Sequence, residues 1–322
     1  MLRRVADSVY WTSRYLERAE NVARFVDVNQ SLSLGGSPQW SPLIYASGDD
    51  EQYHELYGRD YTSDNVLGFL LFDERNSNSV LSCLIKAREN ARAIREVLSV
   101  PIWEAINRFY LCVRDASRRP AITLRQPADF LERIKRASHE VIGVTDVTMS
   151  HDEAWDFAQI GRMLERADKT SRILDVKYFV LLPNGSQAGS AFDVVQWTAL
   201  LESTSALHMY RKQYGRIAPQ SVAELLLLDP HFPRSVRFNV AQAEICLHAI
   251  TGRPVGTDLD AVEEQFTQLH AHVRNARMDE IIQHGLHEFI DDVQMRLNEI
   301  GEAIYHGFFE ILPASQRQSQ QQ

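Results

Sequence analysis

Two stretches of the sequence carry glutamate and arginine side chains in the same order and at the same spacing. Residues 14–28 and residues 162–176 are identical at eight of fifteen positions without a gap, and five of those eight are charged. A match of this density indicates a duplicated segment. Side chains of these two types can bind an amine through the carboxylate and a carboxylate through the guanidinium fork, which donates two parallel hydrogen bonds.

Helical spacing decides which of these side chains share a face. The first stretch lies in residues 3–30, which have amphipathic periodicity and no internal Gly or Pro. On a helix, Glu17 lies one turn before Asn21, and Glu20 one turn before Arg24. The candidate catalytic residues are Glu17 and Glu165. The candidate ligand-binding residues are Arg14, Arg18, Glu20, Arg24, Arg166 and Arg172.

The charged face has two interpretations, and the sequence leaves both open. In the first, it is a solvated helix surface, on which ion pairs one turn apart each contribute about 0.2–0.5 kcal/mol. In the second, the two helices pack together and direct Glu17 with Arg18, and Glu165 with Arg166, into a shared polar cleft. Such partly buried pairs specify geometry and can bind an anion or an amide, although they add little stability.

Helical periodicity dominates the rest of the chain and strand alternation is nearly absent, so the sequence predicts an all-α, multi-helix bundle. The repeated charged helix occupies about residues 3–30 and 152–182. Residues 33–78 contain Gly, Pro, Asp and Asn clusters and are predicted to be an extended loop with one short helix near 65–72. The other predicted helices lie at 79–98, 102–114, 127–142, 192–211, 221–228, 235–250 and 259–284. A last helix, ending near 309, has apolar residues at 282, 286, 289, 293, 297, 300 and 304.

The clearest linker is residues 183–189, which are rich in Gly, Asn, Ser and Gln. We therefore predict one domain over residues 1–312, with possible halves at 1–182 and 190–312. Residues 313–322 are Gln- and Ser-rich and are predicted to be a disordered tail.

Composition excludes several classes of function. The chain has 34 Lys+Arg against 43 Asp+Glu, a formal charge of −9, which does not suit a protein that binds nucleic acid through phosphates. Charged residues interrupt the apolar run that a signal peptide or a spanning helix needs, so we expect a cytoplasmic protein that does not bind membranes. The three cysteines lie in apolar surroundings without metal-ligand spacing and are predicted to be core residues.

Two further clusters contain residue types that could bind a ligand or a metal ion. His284, His287, Glu288 and Asp291 could share one helix face, but no second helix carries a matching Glu-x-x-His, so no metal site is predicted. No cofactor of the chain's own is expected either, because it has no phosphate-binding Gly loop. Arg234 and Arg237 lie at a predicted helix start, where the helix dipole disfavours cations, which hints at an acidic partner or ligand.

Several segments together resemble the bacterial alpha-E domain family. The segments are residues 10–21, 87–92, 103–107, 226–230, 233–238 and 286–292. The resemblance covers roughly residues 1–312 and implies an entirely helical protein named for its glutamates. The residues that it carries over are Arg14, Glu17, Arg18, Glu20, Arg24, Glu165, Arg166 and Arg172.

What the resemblance implies about function comes from gene neighbourhoods. Family members lie beside, or are fused to, a circularly permuted ATP-grasp protein and a transglutaminase-like protein. Since ATP-grasp enzymes form amide bonds through acyl phosphates, we expect an accessory protein that holds a peptide or amino-acid substrate, with ATP bound by the partner. Two alternatives stay open: an independent enzyme with a Glu general base for amide formation or cleavage, and a purely structural interaction partner.

Overall fold

The computed structural model describes residues 1–32, 40–181, 191–253 and 261–310, and these residues confirm the all-α fold. No strand occurs among them, and none of the described helices is long and apolar enough to cross a membrane. The helices are α1 (Arg3–Leu32), α2 (Ser41–Ser47), α3 (Asp50–Tyr57), α4 (Ser63–Leu71), α5 (Val80–Ala93), α6 (Val100–Ser117), α7 (Pro120–Thr123), α8 (Pro127–Thr148), α9 (Glu153–Leu181), α10 (Ala191–Ser203), α11 (Leu207–Tyr214), α12 (Pro219–Leu228), α13 (Val236–Thr251), α14 (Ala261–Asn275), α15 (Met278–His284) and α16 (Leu286–Ile304). A π-helical turn, Tyr305–Phe309, follows α16.

The two charged helices of the predicted repeat, α1 and α9, pack against each other at the centre of the fold. They run in the same direction: the Met1 amino group lies 2.6 Å from a Glu153 carboxylate oxygen, and Gly161 lies against the Tyr10 carbonyl. Helices α5 and α8 also pack on α1, and α13 and α16 pack on α9.

Both central helices contribute to two buried apolar clusters. The C-terminal part of α1 (Leu16 to Val26) packs with α2 to α6 and α8. Its N-terminal part (Val5 to Tyr10) packs with α9 and with helices from α10 to α16, around Trp197 and Phe266. The repeated charged segment of α1, which starts at Arg14, therefore begins where the apolar contacts of α1 change from one cluster to the other.

The prediction of an extended loop at residues 33–78 is wrong at α2 and α3, whereas α4 confirms the one short helix predicted near 65–72. Gly48 and Gly58 end α2 and α3 with φ of +77° and +63°, a left-handed conformation that glycine adopts without a Cβ penalty. These glycines end helices, and in the sequence alone the same residues are equally typical of a loop. Residues 33–39 lie outside the described residues.

Three predicted helices are each interrupted. The segment 192–211 breaks at Ser205, whose φ is +54°, and the segment 259–284 breaks at Ala276 and Arg277. The last apolar stripe breaks at Gly285, whose φ of +118° leaves Ile282 on α15 with 41% of its surface exposed. The linker at 183–189 and the tail at 313–322 lie outside the described residues.

A candidate functional site: the buried layer of glutamate and arginine

The Glu-Arg pairs of α1 and α9 exchange partners across the interface between the two helices. Arg166 donates from Nε and Nη2 to the two Glu17 oxygens, at 2.8 and 2.7 Å. In return, Arg18 donates from Nε and Nη2 to the two Glu165 oxygens, at 2.7 and 3.0 Å. Corresponding residues of the two segments thus make the same contact in both directions, which is the pattern expected of two related helices packed about a local twofold axis.

Further pairs form within each helix, one turn apart. Arg24 donates to Glu20 at 2.8 Å on α1, and Arg172 donates to Asp168 at 2.9 Å at the corresponding positions of α9. This agrees with the acid-before-base spacing seen in the sequence. Lys169 lies 3.0 Å from an Asp168 oxygen and completes the α9 side.

Arg14 bridges the two helices a turn before this exchange. Its Nε donates to Glu165 at 2.9 Å, and its Nη1 donates to the Tyr10 hydroxyl at 3.0 Å. Glu165 therefore accepts hydrogen bonds from two arginines of α1.

Sequence reasoning missed Arg234 as a site residue. It precedes α13, where the Ser235 hydroxyl caps the helix by accepting from the Phe238 amide. Its Nη2 donates to Glu20 at 2.6 Å, and its Nη1 lies 3.5 Å from Glu17. The position of this arginine at a helix start suggested an acidic partner, and the structure places that partner within the same chain.

The layer is tied to other helices through Glu20 and Arg24. On α8, Ser138 Oγ donates to Glu20 at 2.7 Å, and His139 Nε2 lies 3.3 Å from the same carboxylate. Arg24 donates to the Ser203 carbonyl at 2.7 Å, at the end of α10. Side chains of α1, α8, α9, α10 and the start of α13 thus meet in one connected group.

Burial decides between the two interpretations of the charged face. Glu17 is 2% exposed, and Glu20 and Glu165 are fully buried, so the solvated-surface interpretation is wrong for these residues. Arg24 is buried as well, whereas Arg14, Arg18 and Arg172 keep between 16% and 24% of their side-chain surface exposed. The packed arrangement is the one observed, with a partly open edge at these three arginines.

The electrostatics of the layer keep its carboxylates ionised. Burial by itself raises the pKa of Glu165, but the charges of Arg18, Arg14 and Lys169 outweigh it and hold that pKa far below its usual range. Burial and Arg166 act in the same opposed way on Glu17, and the net result is again a lowered pKa. Carboxylates in this condition are weak bases, because their bound arginines favour the charged form.

Cations outnumber anions in this layer. Among the described residues, four carboxylates are linked by direct ion pairs to seven Lys and Arg side chains. The carboxylates are Glu17, Glu20, Glu165 and Asp168, and the cations are Arg14, Arg18, Arg24, Arg166, Lys169, Arg172 and Arg234. Burial lowers the pKa of Arg234 to about 10, which leaves it protonated at neutral pH. The layer therefore carries a positive surplus in a chain of formal charge −9.

The cluster near the chain's last helix is divided by the break at Gly285. His284 lies on α15 and contacts the Glu280 carbonyl, while His287 lies on α16 and contacts Asp175 of α9 at 2.7 Å. Within the described ranges, no group of three or more His, Cys, Asp or Glu side chains is arranged to hold a metal ion. Cys83 and Cys246 are buried, as the sequence predicts, but Cys112 is only partly buried.

Several known proteins are similar in sequence to this chain. Uncharacterised proteins of Mycobacterium bovis and Mycobacterium tuberculosis are each 23% identical to the chain over 303 residues. These matches cover 86% of the chain and 33% of each relative, so the chain spans about a third of the curated relatives' length. No solved structure matches. The family model for Alpha-E, described as a predicted alpha-helical domain with a conserved ER motif, matches residues 1–309. The Glu-Arg pairs at 17–18 and 165–166 are two instances of that dipeptide, and the chain belongs to the Alpha-E family.

Proposed function

We propose that this chain is a cytoplasmic, non-catalytic protein that holds a peptide or amino-acid substrate for an ATP-grasp partner. In this role the partner binds ATP and forms the amide bond, and a transglutaminase-like protein belongs to the same system. The partners are taken from the family resemblance. The observation on which the holding role rests is the surplus of cations in the buried layer.

The open edge of the layer is the proposed binding surface. Arg14, Arg18 and Arg172 each keep part of the side chain exposed while one face is fixed by a carboxylate. An arginine fixed in this way is pre-organised, so it loses less side-chain entropy when it binds a substrate carboxylate. Gly48 packs closely beside Arg172, since a Cβ at this position would lie 3.2 Å from Arg172 Nη1.

The state of the glutamates favours holding over catalysis. A general base works best when its pKa lies near the operating pH, whereas the pKa values of Glu17 and Glu165 are lowered. Their burial also removes them from any surface that a structural partner could contact directly. The length of the mycobacterial relatives supports an accessory role, since there the matched region is a part of a longer polypeptide.

The first experiment is affinity purification at native expression level, with mass spectrometry of the proteins that co-purify. We expect the ATP-grasp and transglutaminase-like proteins. Reconstitution then compares ADP release and amide product with and without this chain, and with R172Q, which removes an edge arginine. The matched control is R136Q, because Arg136 is 77% exposed on α8 and lies outside the layer. Product formation at the same rate without the chain contradicts the proposal.

A further inference from the structure

Arg162 is a cation of α9 that lies beside the layer without a carboxylate of its own. It makes no ion pair within 4 Å with any described residue; Nη2 donates to Gln159, and Nε is buried without a hydrogen-bond partner. Burial, together with the charge of Arg166, lowers the pKa of Arg162. Because a buried donor without a partner is unfavourable, the Nε group is poised for an acceptor that the described residues do not supply.

The reason is visible in the two charged helices. Arg14 corresponds to Arg162 in the repeated sequence, and Arg14 pairs with Glu165 across the interface. The equivalent acceptor for Arg162 is Glu17. That carboxylate is occupied by Arg166, by Asn21 at 2.9 Å and by Arg234 at 3.5 Å. Because Arg166 and Arg234 both lie against Glu17, Arg162 makes no ion pair with this carboxylate.

Arg162 faces a cavity between α1, α6, α8 and α9, with about 50 Å³ of water-accessible space. Most of its wall is apolar and comes from all four helices, for example Leu16, Ile106, Val141 and Ala158. One water-sized group needs about 10–15 Å³ of such space, so the cavity accommodates roughly three to five of them. Its polar lining residues come from α1, α8 and α9 and include Glu17, Ser138, Gln159 and Arg162.

A surface depression adjoins this cavity where α6 begins and α8 ends. Leu98 and Met149 line the cavity and also line an adjoining surface depression. Two valines that flank the depression in sequence, Val100 and Val147, are 65% and 77% exposed. Apolar groups thus continue from the surface to the cavity wall.

We propose that this cavity binds a short aliphatic carboxylate, whose head is held by Arg162 and whose tail lies against the apolar wall. The Arg162 guanidinium has no ion-pair partner among the described residues and its buried Nε has no hydrogen bond, so it suits an anion, and a carboxylate matches its fork. The wall and the volume select a short unbranched or singly branched tail. This site is separate from the open edge, because Arg14, Arg18 and Arg172 do not line the cavity. The assignment rests on the proposed function only for its biological meaning, and it is tested on the isolated chain.

Isothermal titration calorimetry at neutral pH compares pentanoate, 1-pentanol and pentylamine, which share a tail and differ in the head group. We expect pentanoate to bind at least about tenfold more tightly than either, as a charge-assisted hydrogen bond implies. In a series from acetate to octanoate, affinity rises with the first methylenes and then falls when the tail exceeds the cavity. Equal binding of pentanoate and pentanol, or no binding of pentanoate, overturns the proposal.

Two variants locate the site. R162M removes the cation and keeps an apolar side chain of similar length, and we expect it to weaken pentanoate binding by about tenfold or more. A158L keeps Arg162 and fills the cavity, and we expect it to abolish the binding of all three compounds. The control R136Q changes an exposed arginine of α8 and leaves binding unchanged.

Each result bears on the proposal. If R162M does not fold, A158L carries the test alone, and pentanoate binding by A158L within about twofold of the parent contradicts the assignment. Pentanoate binding that survives in a folded R162M contradicts it as well. Binding of pentanoate with no effect of the chain on the ATP-grasp reaction overturns the proposed function only. An effect of the chain on the ATP-grasp reaction without pentanoate binding overturns only the cavity assignment.

Discussion

Arg166 of α9 holds Glu17 of α1 through both carboxylate oxygens, at 2.8 and 2.7 Å, and the two residues are almost entirely removed from water. A pair of this kind makes little net contribution against a hydrophobic replacement, but it is costly to break, because the remaining charge stays buried. The contact therefore specifies how the two central helices meet more than it stabilises them.

The first prediction concerns this pair. We expect R166M and E17M each to lower the free energy of unfolding by about 3–5 kcal/mol, since each leaves one buried charge without its main partner. The double variant is expected to lose much less than the sum of the two, because both charges are then gone. Urea unfolding monitored by circular dichroism measures all four states of the cycle.

The control for that cycle is the exposed pair Arg136 and Glu132 of α8, whose side chains are 77% and 47% exposed. R136M is expected to change stability by about 0.5 kcal/mol or less. Strict additivity of the Glu17 and Arg166 changes would show that the two charges do not depend on each other.

The second prediction is a loss of stability in acid. Glu17, Glu20 and Glu165 have pKa values below the ordinary 4.5 in the folded chain. The unfolded chain therefore binds protons first as the pH falls, and protonation favours unfolding. We expect the free energy of unfolding to be level above about pH 5 and to decrease progressively below about pH 4.5. The decrease continues at pH values lower than those at which exposed glutamates titrate.

Urea midpoints measured from neutral pH to about pH 2.5 test this. E165Q is expected to be less stable than the parent at neutral pH and to show a shallower decrease in acid, since one of the titrating groups is absent. The exposed-residue variant E89Q is expected to follow the parent curve. A parent curve that is flat in acid would be incompatible with the ionised, arginine-bound carboxylates described here.

The third prediction concerns the close approach of α1 and α9. A Cβ at Gly161 would lie well inside van der Waals contact with the Tyr10 carbonyl oxygen, a backbone atom that cannot rotate away. G161A is expected to lower stability by about 1–3 kcal/mol through overpacking. Gly143 of α8 has nothing within 4 Å of the same position. G143A is expected to raise stability by about 0.5–1 kcal/mol, so thermal unfolding of the two variants should shift in opposite directions.

The fourth prediction concerns thiol reactivity. Burial raises the pKa of Cys83 and of Cys246 to about 12, so neither forms the reactive thiolate at mildly alkaline pH. Cys112 is only partly buried. A disulfide reagent should therefore modify one thiol quickly and the other two only after denaturation, and C112S should remove the fast phase. Three fast thiols in the folded chain would contradict the described core.

Sequence patterns predict contacts that form within one helix. The spacing of Glu20 and Arg24 predicts their ion pair, and the spacing of Glu17 and Asn21 predicts the hydrogen bond at 2.9 Å that the structure contains. The assignment of long segments as helix and not strand is also predictable, because apolar periodicity over many residues distinguishes the two. The exceptions are the short helices α2 and α3, where glycine and polar residues are as typical of a helix end as of a loop.

Contacts between distant segments are not encoded in spacing. The repeat suggests that α1 and α9 meet, but the choice of Arg166 for Glu17, and of Arg18 for Glu165, depends on how the helices lie against each other. Arg234 illustrates the same limit, since it is 214 residues from Glu20 and reaches it only because α13 packs on α9. The sequence signal for this contact is the position of Arg234 at a helix start, where the helix dipole disfavours a cation.

The pairing of Glu17 with Arg166 joins positions 149 residues apart, and this has a consequence for folding kinetics. Helical proteins usually fold quickly because most of their contacts are local. Here the contact at the centre of the fold closes a long loop, whose entropy must be lost before the ion pairs form. We expect helix formation to be fast and the docking of α9 on α1 to limit the rate. During synthesis, Glu17 leaves the ribosome long before Arg166, so α1 keeps its carboxylates hydrated until α9 has been made.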